Sequence, residues 1–586
     1  MTGSCKKYLN TVPDDVLTTD DIFLSKTTAG EYLANIYSYL PNELEQRFSG
    51  YGGWGNSGPW TGSSDEAKYN WDFNYSNQMN ASTWSSTDGQ VELYWSQYYQ
   101  AIRNATDFMA RIPTATNEIE TGTKVIWRAE ARALRAIFYF YLLRTYGPVV
   151  LLKDQIISPD ASGDASSQAR TPFDACISYV AGQLDSAYTD LPLTPLNSEL
   201  GRMTQGIAKA YKAEALLLDA SPLYNGNAAY ASFKNADGTQ LISQTYDVNK
   251  WALAASAAKD FITTFSGTYR LHVVQDSTPF ATAFRSCKEV MTDDWDEEWI
   301  FGFPNAGSLM RYDRTPKHVG YSSDQQGGGA CGATQTMVDA YFMANGLPIT
   351  DPNSNYISTG FTQFQAPGDT KSRNIYSPWT GREPRFYVGI TYDSSRWIYA
   401  DDDGNDIITS FQYSGNSGRS QSTSDVTPTG YTVRKNVAPS DNGRGCVMIR
   451  LAQIYLDYVE ALNESNPSDP DILKYLNLIR DRAGVPEYGG AIPAPASQAD
   501  MRTAIRAERR VELAFENVRY FDTRRWKIAP QTDAGAFYGM NMYADGSAFF
   551  AKTKLETRMF KPRDYWFPIP FNEVLKDDLM VQNPGW

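Results

Sequence analysis

Apolar positions recur at helical spacing in several long stretches of the chain. Over residues 125–146, Ala129, Ala133, Ala136 and Phe140 fall on one face. Small residues there make a flat seam against which a second helix can pack closely, and Gly147-Pro148 ends the stretch. Residues 203–220 repeat the style with Ala208, Tyr211, Ala215 and Leu218, and residues 249–265 do so again. Toward the C-terminus, Leu451, Ile454, Tyr455, Tyr458 and Leu462 line a stripe over 447–464. Further helices are expected from Pro470 and over about 501–517. Helices of this kind, studded with Ala and Tyr and joined by short turns, predict degenerate tetratricopeptide-like hairpins. The fold class is therefore mainly α, about four such repeats, with an irregular loop-rich layer containing short β-strands.

The layer is read from what lies between. Residues 48–90 carry Trp54, Trp60, Trp71 and Trp84 among Gly, Ser and Asn, and residues 350–445 alternate in short runs such as Arg385–Tyr392, which predict strands. Loops this long in a compact protein are functional or structured in their own right. The organisation expected is a tether at 1–10 and a single domain at 11–586. Its scaffold lies mainly at 86–270 and 447–530, its variable layer mainly at 48–90 and 300–445.

Composition narrows the chemistry. Lys and Arg total 53 against 67 Asp and Glu, a formal charge of −14 that disfavours nucleic acid. Only His272 and His318 are present, so a His-rich metal centre cannot be built. The cysteines show no C-x-x-C spacing, and Cys176, Cys287, Cys331 and Cys446 read as buried thiols. Acidic pairs such as Asp65-Glu66, Asp293-Asp294 and Glu297-Glu298 show no sign of the opposed carboxylates that glycoside hydrolysis needs. The Asp401–Asp406 run has calcium-like oxygen spacing, but Gln412 and Tyr413 stand where its closing glutamate should be, so it reads as a surface turn and no cofactor is required. Gly327-Gly328-Gly329 lacks the Lys-Ser/Thr of a phosphate loop. Arg506, Glu508, Arg509, Arg510, Glu512, Glu516 and Arg519 predict a charge network that stitches helices together.

A binding role asks for less. Sugar rings stack on Trp and Tyr faces while their hydroxyls pair with amides, carboxylates and guanidinium groups. Trp71 and Asn74 supply a ring and an amide in one short segment, with Trp54, Trp60 and Asp65 before them.

Segments spread along the chain are together similar to the SusD/RagB outer-membrane nutrient-binding lipoproteins of Bacteroidetes. They are Cys5–Pro13, Trp95–Ala105, Arg132–Val149, Thr334–Gly346, Arg382–Tyr387, Arg450–Glu464, Arg506–Glu516, Phe567–Pro570 and Gln582–Trp586. The resemblance implies a non-catalytic, cell-surface protein that captures oligo- or polysaccharide and passes it to a SusC-like TonB-dependent transporter. It implies acylation at Cys5 and so an outer-membrane lipid anchor. Met1–Cys5 is similar to the tail of a lipoprotein signal without its apolar core, and with Thr2 where leucine is usual. It also points to the loops before Trp95 and before Thr334 as ligand-bearing, which adds Tyr312, Tyr321 and Arg311 to the candidates. A peptide ligand, as in the RagB branch, is the alternative, and a glycoside hydrolase is a more distant one.

Overall fold

The computed structural model describes residues 19–42, 46–47, 58–157, 167–195, 197–304, 309–439 and 444–586; Cys5 and Trp54 lie outside them. Among the described residues nine helices form the scaffold: α1 Lys26–Tyr37, α2 Gly89–Arg111, α3 Thr121–Tyr146, α4 Phe173–Tyr188, α5 Gln205–Ala220, α6 Val248–Thr264, α7 Leu451–Ser465, α8 Asp471–Arg482 and α9 Gln498–Glu512. From α2 to α6 each helix packs on the next, as stacked hairpins do. The alanine seam of α3 is buried, with Ala133 and Ala136 at 0% exposure and Ala129 and Phe140 nearly so. Where tyrosines enter this core they bring rings that stack and hydroxyls that find partners. Tyr98 lies 5.9 Å from Phe138 and 5.6 Å from Tyr141, whose hydroxyl hydrogen-bonds that of Tyr211. α3 stops at Gly147, whose φ of +74° suits glycine and whose Cβ would stand 3.2 Å from Trp566.

The helical array is interrupted in sequence but not in space. α6 packs on α7, although residues 265–450 lie between them. Trp299–Phe303 pairs antiparallel with Cys446–Arg450, so the two ends of this insertion leave and rejoin the scaffold side by side. Among the described residues every sheet has two strands. One of them, Ala67–Tyr69 with Cys331–Ala333, joins the loop before α2 to the insertion. A second apolar core including Tyr69, Trp71, Met337, Trp379, Phe386, Tyr431 and Met540 lies beneath this layer.

The charged residues of α9 hold scaffold and layer together. Glu508 accepts from Arg385 at 2.6 Å and Arg480 at 2.8 Å, and Glu512 from Arg450 at 2.7 Å, Arg385 at 3.0 Å and Arg482. All of these groups are buried. Burial opposes charge here, yet the three guanidinium groups around Glu512 hold its carboxyl well below the usual range. The network expected from sequence is thus present, but its partners come from across the fold rather than from one helical turn.

Three expectations need correction. Arg385–Tyr392 is not a strand: Pro384–Gly389 is helical, and only Ile390–Thr391 is extended. Proline at the first helical position favours that start, and the helix delivers Arg385 to the buried carboxylates. The last scaffold helix ends at Glu512 rather than 517, because Phe515 and Asn517 take φ of +62° and +64°. The stripe over 447–464 also begins as a strand, with helix only from Leu451.

Candidate functional site

The two loops singled out from sequence meet. Trp71 lies nearly parallel to Tyr312, with centroids 6.2 Å apart at 18°, and to Phe73, 5.3 Å away at 19°. Trp71 is itself only 6% exposed, whereas Phe73 is 47% and Tyr312 42% exposed. The rings offered to solvent are therefore Phe73 and Tyr312, and Trp71 backs them. Asp425, from a third segment, ties the group together. Its Oδ1 accepts from Trp71 Nε1 at 3.1 Å, and its Oδ2 accepts from the Tyr312 hydroxyl and Lys317 Nζ, each at 3.1 Å. Burial works against the Asp425 charge, but hydrogen bonds from Lys317, Trp71 and Tyr312 hold its carboxyl below the usual range.

Arg47 completes the cluster. Its guanidinium sits 4.8 Å from the Trp71 ring centroid and 5.8 Å from that of Tyr312, and donates twice to Asp313 Oδ1, at 2.8 and 2.6 Å. The glycine run has its explanation here. A Cβ on Gly328 would come within 2.6 Å of Trp71 and 2.7 Å of Tyr312, so the backbone threads against the rings only without a side chain.

The other sequence candidates are placed differently. Trp60 is a core ring, 4.8 Å from both Tyr520 and Phe521 and stacked on Tyr94. Asp65 is buried against Arg519, at 2.8 Å, and Arg510, at 2.7 Å. Asn74 is fully buried: its amide donates to the Gln46 carbonyl, and its oxygen accepts from Ser76. These three side chains are occupied with holding their own loop, as a polar loop on a packed core requires. Arg311 donates to the Asp324 carbonyl at 2.6 Å and the Tyr399 hydroxyl at 3.1 Å, while Tyr321 packs beside His318. Neither joins the Trp71 group.

Arg47, Phe73, Lys317 and Asp425 were not among the expected site residues. Phe73 was legible as a neighbour of Trp71; the other three carry no local signal, since only the fold brings them to the rings. A second exposed aromatic spot forms where the stretch just before Asp425 meets the segment around Tyr543. Tyr543 is 72% exposed with Arg419 over its ring at 4.8 Å, and nearby Tyr413, whose N–H donates to the Ala544 carbonyl, is 42% exposed. A cavity of about 180 Å³ lined by Asp339, Tyr356, Tyr376, Phe550 and Lys552 is smaller than the usual ligand pocket. The Asp401–Asp406 run is, as expected, a hairpin turn, with Asp401 accepting from the N–H groups of Asp403 and Asn405.

Comparison with known proteins matches the chain in two segments. A family model described as "SusD family" matches residues 297–586, and one described as "Starch-binding associating with outer membrane" matches residues 7–217. The chain belongs to the SusD family. Proteins of this family bind and do not catalyse. Among solved structures, this SusD-family chain is similar to BT4246, with a TM-score of 0.83 and 27% identity covering 96% of this chain and 100% of that one. It shares the fold of a SusD-like carbohydrate binding protein from Bacteroides fragilis, with a TM-score of 0.71 and 21% identity over 96% of this chain and 100% of that one. SusD-like protein P2 of Formosa agariphila is 23% identical over 523 residues, 87% of this chain and 83% of that protein. No helix among the described residues is long and apolar enough to cross a membrane.

Proposed function

We propose that this SusD-family protein captures oligo- or polysaccharide at the Phe73–Tyr312 platform. One observation carries the reading: rings from two distant segments lie parallel, two of them open to solvent, with charged groups fixed beside them. Sugar C–H faces stack on such rings, and Asp425, Lys317 and Arg47 stand ready for hydroxyls. The carbohydrate-binding relative in Bacteroides fragilis supports the ligand class. An open platform of this kind desolvates few groups, so affinity for any one sugar segment is modest. The fuller reading sets the protein at the outer-membrane surface, lipid-anchored through Cys5, delivering its ligand to a SusC-like TonB-dependent transporter.

The test is calorimetry against neutral, fructan, host-derived and acidic glycans, using the full chain beside Tyr312→Ala and Phe73→Ala. Binding to one glycan class that falls at least tenfold in both variants, with unchanged melting temperature, supports the reading. Glycan binding that survives both variants but is lost in Tyr543→Ala moves the site to the second aromatic spot. Retention of peptides and no glycan overturns it.

A further inference from the structure

The acidic stretch Asp293–Glu298 has no part in the aromatic platform, yet it converges on one of the two histidines of the chain. His272 Nδ1 lies 3.3 Å from Glu297 Oε2 and 3.8 Å from Asp296 Oδ2, and the three atoms all lie within 4.8 Å of one another. The backbone is shaped to achieve this. Trp295 takes φ of +62°, a left-handed conformation that a bulky residue rarely adopts, and Glu298 N–H fixes Asp296 through Oδ1 at 2.7 Å. The remaining oxygen, Asp296 Oδ2, is buried on a side chain only 4% exposed and accepts no hydrogen bond. A buried carboxylate oxygen without a partner is costly unless a cation or donor meets it.

The protein supplies little to meet it. A neutral imidazole offers one proton, which Nδ1–H can direct toward Glu297, and Nε2 is buried with no hydrogen-bond partner. Arg270 reaches the other oxygen of Glu297, at 3.3 Å, from a side chain 78% exposed. Two carboxylates and an imidazole nitrogen therefore face a common point with no buried cation. In a tetrahedral site with metal–ligand bonds of about 2.0–2.2 Å, ligand atoms sit roughly 3.3–3.6 Å apart. The edges from His272 Nδ1, 3.3 and 3.8 Å, lie close to that spacing, and the edge between the two carboxylates, no more than 4.8 Å, would shorten as a bound ion draws Asp296 and Glu297 together. Glu297, with a side chain 27% exposed, leaves one side open for entry and for solvent ligands.

We infer that His272, Asp296 and Glu297 form a divalent transition-metal site, for which Zn²⁺ is the fitting ion. A nitrogen donor beside two carboxylates favours a borderline ion over Ca²⁺, which prefers an all-oxygen shell. The other histidine is not available, since His318 Nδ1 faces the Gln325 carbonyl and Nε2 the Thr409 hydroxyl. The site's position gives it a structural role. It clips the segment after α6 to the turn that enters Trp299–Phe303, where the insertion leaves the scaffold. Glu298, next in the chain, accepts from the His272 N–H at 2.9 Å and from Arg450 and Arg482 in the buried network.

Chelator-treated full-length protein would be titrated calorimetrically with Zn²⁺, Mn²⁺ and Ca²⁺, beside Glu297→Gln and Asp296→Asn. Melting curves in chelator would verify that each variant folds, and Glu297→Gln keeps the test alive if Asp296→Asn does not. One Zn²⁺ per chain is expected, weakened at least tenfold by Glu297→Gln and about thirtyfold by Asp296→Asn. Long-range ¹⁵N spectra resolve two imidazoles, and only the His272 signals should move with Zn²⁺. Zn²⁺ binding that is absent, equal in the variants, weaker than Ca²⁺ binding, or silent at His272 overturns the inference. None of these readouts involves glycan.

Discussion

Asp425→Asn is expected to weaken glycan binding about 5–30-fold while leaving the fold intact. Asp425 joins Trp71, Tyr312 and Lys317 through three contacts of 3.1 Å. The asparagine oxygen can keep the bond from Trp71 Nε1. The amide nitrogen that replaces Oδ2 can accept from neither the Tyr312 hydroxyl nor Lys317. Hydrogen bonds to charged groups contribute about 1.5–3 kcal/mol each when buried. The Asp425 and Lys317 side chains are 26% and 24% exposed, so solvent screening reduces the loss. A combined effect of about 1–2 kcal/mol on holding Tyr312 in place corresponds to the 5–30-fold range. Calorimetry with the glycan retained by the native chain, together with Tyr312→Phe, separates the contributions: removal of the hydroxyl alone should weaken binding less than Asp425→Asn. The carboxyl titrates below the usual range, so pinning is present above that range and is lost only as pH falls through the depressed value. Native affinity in Asp425→Asn, with affinity lost in Tyr312→Ala, would refute the argument that Asp425 organises the platform.

Three further outcomes follow from the packing. Gly328→Ala places a methyl within 2.7 Å of both Trp71 and Tyr312 and should cost about 1–3 kcal/mol in denaturant-measured stability and at least tenfold in glycan affinity; unchanged values for both would contradict the close approach. Glu512→Gln removes the charge shared by Arg385, Arg450 and Arg482 and should destabilise by about 3–5 kcal/mol, and a loss under about 1 kcal/mol in urea unfolding would mean the network is not held together there. Burial, with the neighbouring Asp65 charge adding to it, pushes the Glu66 carboxyl up to about 8 against the pull of the Phe515 N–H. A raised value means stability is fully present below the ordinary range near 4.5 and falls as pH rises toward 8. Glu66→Gln cannot ionise, so its stability relative to the native chain should improve by roughly a few kcal/mol between pH 5 and 8.5, and parallel pH curves would count against the assignment.

The sequence by itself determined the helices, the family and the neighbourhood of the platform. Long amphipathic stretches such as 125–146 carry their periodicity locally, and Gly147 marks where that helix ends, because backbone preference and side-chain spacing are properties of adjacent residues. Dense rings around Trp71 and in the loop holding Tyr312 likewise stood out without coordinates. The tertiary structure alone decided which of those rings faces water. Trp60 and Trp71 read alike as loop tryptophans, but one is enclosed by scaffold rings and the other backs an exposed pair. Asp65 and Asn74 looked available for hydroxyls, yet burial committed them to Arg519, Arg510, Ser76 and the Gln46 backbone. Arg385–Tyr392 alternates like a strand and is mostly helix, because its arginine is drawn to carboxylates on α8's neighbour α9, over a hundred residues away. Partnership across such separations depends on how the insertion folds back between α6 and α7. No local pattern encodes the distance from Asp425 to Tyr312, or from His272 to Asp296.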